Sequence, residues 1–211
     1  MGIIIGIDVG ISTTKIVGLR DGKPSAPIRI TAADPITSLY GAFGKYLHDN
    51  NIQLTNVEHV MLTGVGAAYV KNDVYGVPTS RCDEFVADAL GARYESHLDH
   101  AIVVSMGTGT SFVMCNGEEI NHIGGIGIGG GTLQGLSRIM LNTSDIKQVS
   151  ALAMQGDISH VNLLIGNLSL LPQCKEVFPA LEKLYNVRFH IPKYSEYCTA
   201  IGAALTFTRK G

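Results

Sequence analysis

Three glycine-rich segments punctuate this chain: GIDVGISTTK at 6–15, VSMGTGTSF at 104–112 and GGIGIGGGTLQG at 124–135. Each follows or flanks an apolar run of β-like character. Backbone N–H groups crowd around an anion only where no Cβ blocks the approach, so such loops suit phosphate. One loop of this kind is weak evidence. Three within 211 residues point to a nucleotide held between two halves of a protein.

Hydrophobic residues make up 45% of the chain and charged residues 16%, enough apolar material for a sizeable core and too little charge for global disorder. A net charge of −2 gives no electrostatic case for nucleic acid or an acidic membrane as the main partner. The N-terminal MGIIIGID is too short for a signal segment, and no apolar stretch approaches the ~20 residues that span a bilayer. Cys82, Cys115, Cys174 and Cys198 form no CxxC pair, which argues against a zinc site or disulfide framework and fits a cytoplasmic protein with buried thiols.

The pattern predicts strands at Ile3–Ile7, Thr14–Leu19 and Pro27–Thr31, a helix over 35–50, a strand at Val57–Leu62 and a helix over 83–98. A second cycle follows, with strands at Ala101–Ser105, Thr110–Cys115 and Glu119–Ile123 and a helix at Thr132–Leu141. Asn116-Gly117 marks a hairpin turn within it. The order β-β-β-α thus occurs twice, which predicts duplicated lobes over 1–99 and 100–211 with a hinge near Asp99-His100. Beyond it, the pattern predicts strands at Val161–Ile165 and Val187–Ile191 and helices at Pro172–Leu184 and Thr199–Thr206.

Asp8 ends the first strand beside Gly10, Ser12, Thr13, Thr14 and Lys15. A carboxylate there can hold Mg²⁺ through water while the lysine neutralises phosphate charge. A hairpin turn with an exposed lysine explains the same residues equally well. Gly107-Thr108-Gly109 carries more hydroxyl–glycine alternation than a turn requires, and Gly130, Gly131 and Thr132 open a helix whose N-terminus attracts anions. Glu84, in the first turn of its helix, reads at face value as a helix-dipole residue, with Asp83 and Asp88 competing for any catalytic role. His122, just before the second glycine run, is either a satisfied structural histidine or a cation for a transferring phosphoryl group.

Taken together, these residues resemble the type II pantothenate kinases, members of the acetate and sugar kinase, Hsc70 and actin superfamily. The likeness runs through GIDVGISTTK, Glu84-Phe85, VSMGTGTS, HIGGIGIGGGTLQGL, QGD at 155–157, GNLSL at 166–170 and AIGAAL at 200–205. It implies an α/β fold: a two-lobed actin-like ATPase (ribonuclease H-like) architecture with an ATP cleft between the lobes. It implies ATP-dependent phosphorylation of pantothenate, or a related pantetheine-type substrate, by a cytoplasmic homodimer using Mg²⁺.

The resemblance makes Asp8 through Lys15 the first phosphate loop. Gly107, Thr108 and Gly109 serve the phosphate and substrate region, and Gly130 through Gln134, including Leu133, form the second nucleotide loop with Asn167 beyond it. Glu84 becomes the general base, and His122 stands where the family often carries an arginine. The family also has a long helical stretch between the QGD and GN segments, whereas here only eight residues separate Asp157 from Gly166. That shortening predicts an uncovered sheet face, self-association and weak catalysis. Three rival readings remain at this stage: a superfamily kinase of another small substrate, an ATPase activator of CoA-dehydratases, and a non-catalytic nucleotide-binding relative. The second needs cluster-binding cysteines, which this spacing does not offer.

Overall fold

The computed structural model describes residues 2–11, 13–31, 34–157, 188 and 190–208. Contacts divide the chain into two units. The first joins Met1–Ser105, Ser111–Gly124 and Pro192–Gly211, and the second joins Met106–Thr110 and Gly125–Ile191. The lobes expected at 1–99 and 100–211 stay a proposal. The contact grouping runs across that boundary because the C-terminal helix packs with the N-terminal elements.

The first unit is built on a six-stranded sheet. β1 (Ile3–Val9) pairs antiparallel with β2 (Thr13–Arg20), which also pairs with β3 (Lys23–Pro24) and β4 (Ile28–Thr31). On its other side β1 runs parallel to β5 (Val57–Thr63), and β5 parallel to β6 (Thr79–Arg81). Every residue of β1 is buried, as expected of a central strand covered on both faces.

Alternation along β1 divides the core. Ile3, Ile5, Ile7 and Val9 meet Leu39, Ala42, Phe43 and Tyr46 of α1 (Pro35–Asp49). Asp34 caps α1 by accepting from the Thr37 amide at 2.6 Å, and Pro35 occupies the first turn, where its missing N–H costs nothing. The opposite face carries Ile4, which packs with Met61, Ala87, Ala203 and Ala204. These last three belong to α2 (Glu84–Ser96) and to α5 (Cys198–Thr208). A Cβ at Gly6 would lie 2.0 Å from the Ala200 carbonyl oxygen, so α5 lies directly on the strand. The helices cross as closely: a Cβ at Gly202 would sit 1.7 Å from the Ala87 carbonyl, and one at Gly91 equally near that of Cys198.

A second sheet places β7 (His100–Met106), β8 (Thr110–Asn116) and β9 (Glu119–Ile126) in sequence order. Val113 and Cys115 pack with Ala89, Phe85, Val103 and Ile120. α3 (Gly130–Leu141) and α4 (Ile146–Ala153) follow.

The expected strand–strand–strand–helix cycles are present, with β3, β6 and α4 as additions. β3 and β6 span two and three residues, too short for a periodic signal. α3 begins at Gly130 rather than Thr132, because hydrogen bonding overrides glycine's poor propensity there. Arg188, His190 and Ile191, expected in a strand, lie in no regular element. Ser12, Asn167, and the elements expected at Val161–Ile165 and Pro172–Leu184 lie outside the described residues.

Candidate active site

β1 delivers Asp8 to its C-terminal end on the face that α2 and α5 cover. In the antiparallel register Asp8 stands opposite Lys15, so both side chains project to the same side. Lys15 Nζ donates to Asp8 Oδ2 at 3.1 Å. Burial pushes the Asp8 carboxyl up, and the Lys15 charge and hydrogen bond pull it part of the way back. Gly64, at the end of β5, has φ +83°, and a Cβ on it would lie 2.6 Å from Asp8 Oδ1. Glycine there keeps space against the carboxylate.

The turn between the strands is tight. Gly10 N–H donates to the Thr13 carbonyl at 2.9 Å, and a Cβ on Gly10 would sit 2.7 Å from that oxygen. The loop residues divide by strand alternation. Thr13 shares the face of Lys15, whereas Thr14 is fully buried on the α1 side and its Oγ1 accepts from Ser38 at 2.8 Å. Thr14 is thereby a core hydroxyl, not a group on the Asp8 side.

At the start of α2 the structure separates the three competing carboxylates. Asp83 is the N-cap, accepting from the amides of Phe85 at 2.9 Å and Val86 at 3.1 Å. Asp88 is buried, with Oδ1 accepting from the Thr199 hydroxyl. Glu84 is exposed, as Asp83 is, but Asp83 is committed to the helix cap. Enough protein surrounds the Glu84 carboxyl that desolvation, with repulsion from Asp8, Asp88 and Asp83, raises it to about 7, against the pull of Lys15. A carboxylate near neutrality is poised to accept a proton, as a general base requires.

Next to Glu84, the Phe85 ring stacks on His122, with centroids 4.0 Å apart and planes 6° apart. Thus β9 delivers its histidine to the Glu84-Phe85 motif, a pairing the sequence did not show. Asp88, Thr199 and Ser105 complete the cluster; their signal was the four-residue spacing from Glu84 to Asp88 and the opening of the final helix.

The second unit holds the other two glycine loops. Gly130 N–H donates to the Gly107 carbonyl at 2.8 Å, Thr110 Oγ1 to the Ile128 carbonyl at 2.8 Å, and Thr132 Oγ1 to the Gly127 carbonyl at 2.9 Å. A Cβ on Gly129 would meet three carbonyl oxygens, those of Gly107, Thr108 and Gly109, at 2.7 to 2.8 Å. One on Gly131 would meet Thr108 Cγ2 at 2.7 Å. The run is therefore glycine partly because two loops interlock. By contrast, a Cβ on Gly107 would meet nothing within 4 Å. α3 has no side-chain cap and no acidic residue in its first turn, which leaves a positive helix end. Leu133 is exposed, and the Gln134 amide donates to the Ser144 carbonyl at 3.3 Å.

Among the described residues, no group of three or more His, Cys, Asp or Glu side chains is placed to hold a metal. None of their helices is long and apolar enough to cross a membrane.

Residues 94–170 match a family model described as Fumble. A type II pantothenate kinase of Staphylococcus epidermidis is 29% identical over 172 residues, covering 78% of this chain and 59% of that protein. The chain is similar to the type II pantothenate kinases over 78% of its length. It spans about 59% of the length of the curated relative it matches. Among solved structures, the Acidaminococcus fermentans (R)-2-hydroxyglutaryl-CoA dehydratase component A superposes with a TM-score of 0.68 at 16% identity, covering 100% of this chain and 99% of that one. The activator of the 2-hydroxyisocaproyl-CoA dehydratase from Clostridium difficile, with bound ADPNP, gives 0.67 at 14% identity, covering 99% of this chain and 95% of that one. At such identities the likeness shows the fold alone, a mixed α/β architecture of the actin-like ATPase class.

Proposed function

We propose that this protein transfers the γ-phosphoryl group of ATP to the primary hydroxyl of pantothenate, giving 4'-phosphopantothenate, the first step of coenzyme A biosynthesis. The observation that carries this reading is Glu84, a carboxylate held near neutrality beside Asp8 and Lys15 and stacked next to His122 through Phe85. The homology to type II pantothenate kinases supplies the substrate class.

In this mechanism Glu84 accepts the hydroxyl proton as the oxygen attacks the γ-phosphorus. The P–O bond to the β-phosphate breaks and ADP leaves. Lys15 offsets phosphate charge within the first unit. The sequence resemblance assigns phosphate contact in the second unit to Gly107, Thr108, Gly109, Gly130, Gly131 and Thr132, where the uncapped start of α3 suits an anion. His122 faces the acceptor, with an imidazole that carries charge only when protonated.

Asp8 fits Mg²⁺ bound through water: its carboxylate stands at the end of β1 with space left against it by Gly64. An ion held mostly by nucleotide phosphates needs only one or two protein carboxylates. When bound, Mg²⁺ neutralises charge on the phosphates.

The test is incubation with ATP, Mg²⁺ and pantothenate, with product mass measured alongside ADP release. Pantothenate-dependent ADP with a product heavier by one phosphoryl group supports the reading. Saturable ATP binding without turnover would assign the chain to a non-catalytic nucleotide-binding role. The eight residues between Asp157 and Gly166, where the family carries a long helical stretch, are the observation favouring that alternative.

A further inference from the structure

Asp88 lies four residues after Glu84 on α2, so the two side chains stack on one face of the helix a turn apart. Glu84 is open to solvent, but Asp88 is only 3% exposed. Its Oδ1 accepts from Thr199 at the start of α5, and its Oδ2 is buried with no hydrogen-bond partner of ordinary geometry among the described residues. A buried carboxylate oxygen left this way costs free energy that only nearby compensating interactions can offset.

The surroundings define what it faces. β1 contributes Asp8, β2 contributes Lys15, and α2 contributes Glu84 itself and the capping Asp83. β7 contributes the Ser105 hydroxyl. α5 contributes Thr199 and Cys198, whose thiol burial pushes up to about 12 and so keeps neutral. The glycine crossings at Gly91 and Gly202 fix α2 against α5, so the distance from Thr199 to Asp88 cannot drift independently of the helix pair.

We propose that Asp88 is a positioning residue: its buried carboxyl, tethered to α5 through Thr199, sets the pH at which Glu84 gives up its proton. This rests on the reading of Glu84 as the general base. Burial raises the Asp88 carboxyl, while the Thr199 and Ser105 hydroxyls favour its charged form. When Asp88 is ionised, it repels charge on Glu84 and keeps that carboxyl basic. The two carboxyls titrate as a coupled pair, and Thr199 biases which of them carries the proton.

The experiment is a side-chain carboxyl ¹³C NMR titration of the full chain, with the Glu84 resonance identified by its loss in Glu84→Gln. In Asp88→Asn the carboxamide oxygen still accepts from Thr199 but the charge is gone, and the Glu84 midpoint moves down by ~0.5 pH units or more. In Thr199→Val the carboxyl loses its donor and ionises less readily, so the Glu84 midpoint moves the same way by a smaller amount. An unmoved midpoint in either folded variant overturns the proposal. If Asp88→Asn does not fold, Thr199→Val decides alone. The titration needs no turnover, so absence of pantothenate phosphorylation would remove the functional reading and leave this coupling to be judged separately. Where turnover is measurable, the acid limb of kcat/KM moves with the midpoint, which a purely structural role would not produce.

Discussion

Lys15 and Asp8 face each other across the β1–β2 pair, with Nζ 3.1 Å from Oδ2, and Asp8 is nearly buried whereas Lys15 keeps 23% of its side chain exposed. The lysine thus offsets the carboxylate's lost hydration while its head stays within reach of an incoming anion. A residue read from sequence as a phosphate ligand also has a part in stability. Lys15→Met leaves the Asp8 charge without its partner, and we expect a loss of about 1–3 kcal/mol at pH 7. Asp8 has a raised folded-state carboxyl, so its ionisation weakens the fold as pH climbs above the ordinary aspartate range. The deficit of the variant therefore shrinks on acidification. Urea unfolding at pH 7 and pH 4 checks both the size and the trend.

Glu84→Gln lowers phosphoryl transfer by about 10²–10⁴-fold with ATP affinity nearly unchanged, the range for a lost proton acceptor. The wild-type rate rises with pH through the neutral range, because the carboxyl is pushed up to about 7 and must be ionised to act. The stability trend runs the other way. A group whose folded value is raised stabilises the fold while protonated, and that contribution is lost as pH rises from the ordinary glutamate range to about 7. Glu84→Gln therefore melts higher than wild type at pH 8, and the gap closes near pH 4. An unchanged turnover number sinks the general-base assignment.

The two glycines of the second unit separate packing from ligand approach. Gly129→Ala drives a methyl into three carbonyl oxygens and should lower the melting temperature measurably. Gly107→Ala meets nothing within 4 Å, so its stability stays within about 0.5 kcal/mol of wild type. If phosphate comes close to the Gly107 backbone, the same methyl weakens ATP binding ~10-fold or more. Calorimetric titration beside thermal melts reads both, and full ATP affinity in Gly107→Ala places the phosphate elsewhere.

Apolar side chains remain open on both units. Ile102 and Val104 of β7 are 60% and 41% exposed, and Ile139 and Met140 of α3 are 83% and 76% exposed. Exposed apolar side chains that join into patches beyond a few hundred Å² usually find a partner. We expect the chain to self-associate at micromolar concentration and Ile139→Lys with Met140→Lys to reduce that association. Sedimentation velocity of wild type and double variant is the check, and a sharp wild-type monomer with robust turnover contradicts it.

Much of the site was readable as a list of residues, and little of it as an arrangement. The apolar run at Ile3–Ile7 and the β-like run at Thr14–Leu19 are local, so β1 and β2 were visible in advance. Their register was not, and register alone turns Lys15 to Asp8 while sending Thr14 to Ser38. The N-cap role of Asp83 is also local, yet sequence could not set Asp88 apart from Asp83 and Glu84, because its burial depends on packing against α5.

What the sequence determined by itself is the set of elements and the chemistry available: glycine loops, a lysine beside a strand-end aspartate, and a glutamate at a helix start. Hydrophobic periodicity and turn chemistry are short-range, so one chain segment suffices to express them. The tertiary structure decided the rest. It brought Thr199 to Asp88 across 111 positions of sequence, stacked His122 on Phe85, and packed α5 onto β1 at Gly6. Those contacts join distant segments, and the desolvation and repulsion that raise Glu84 arise only once they are made.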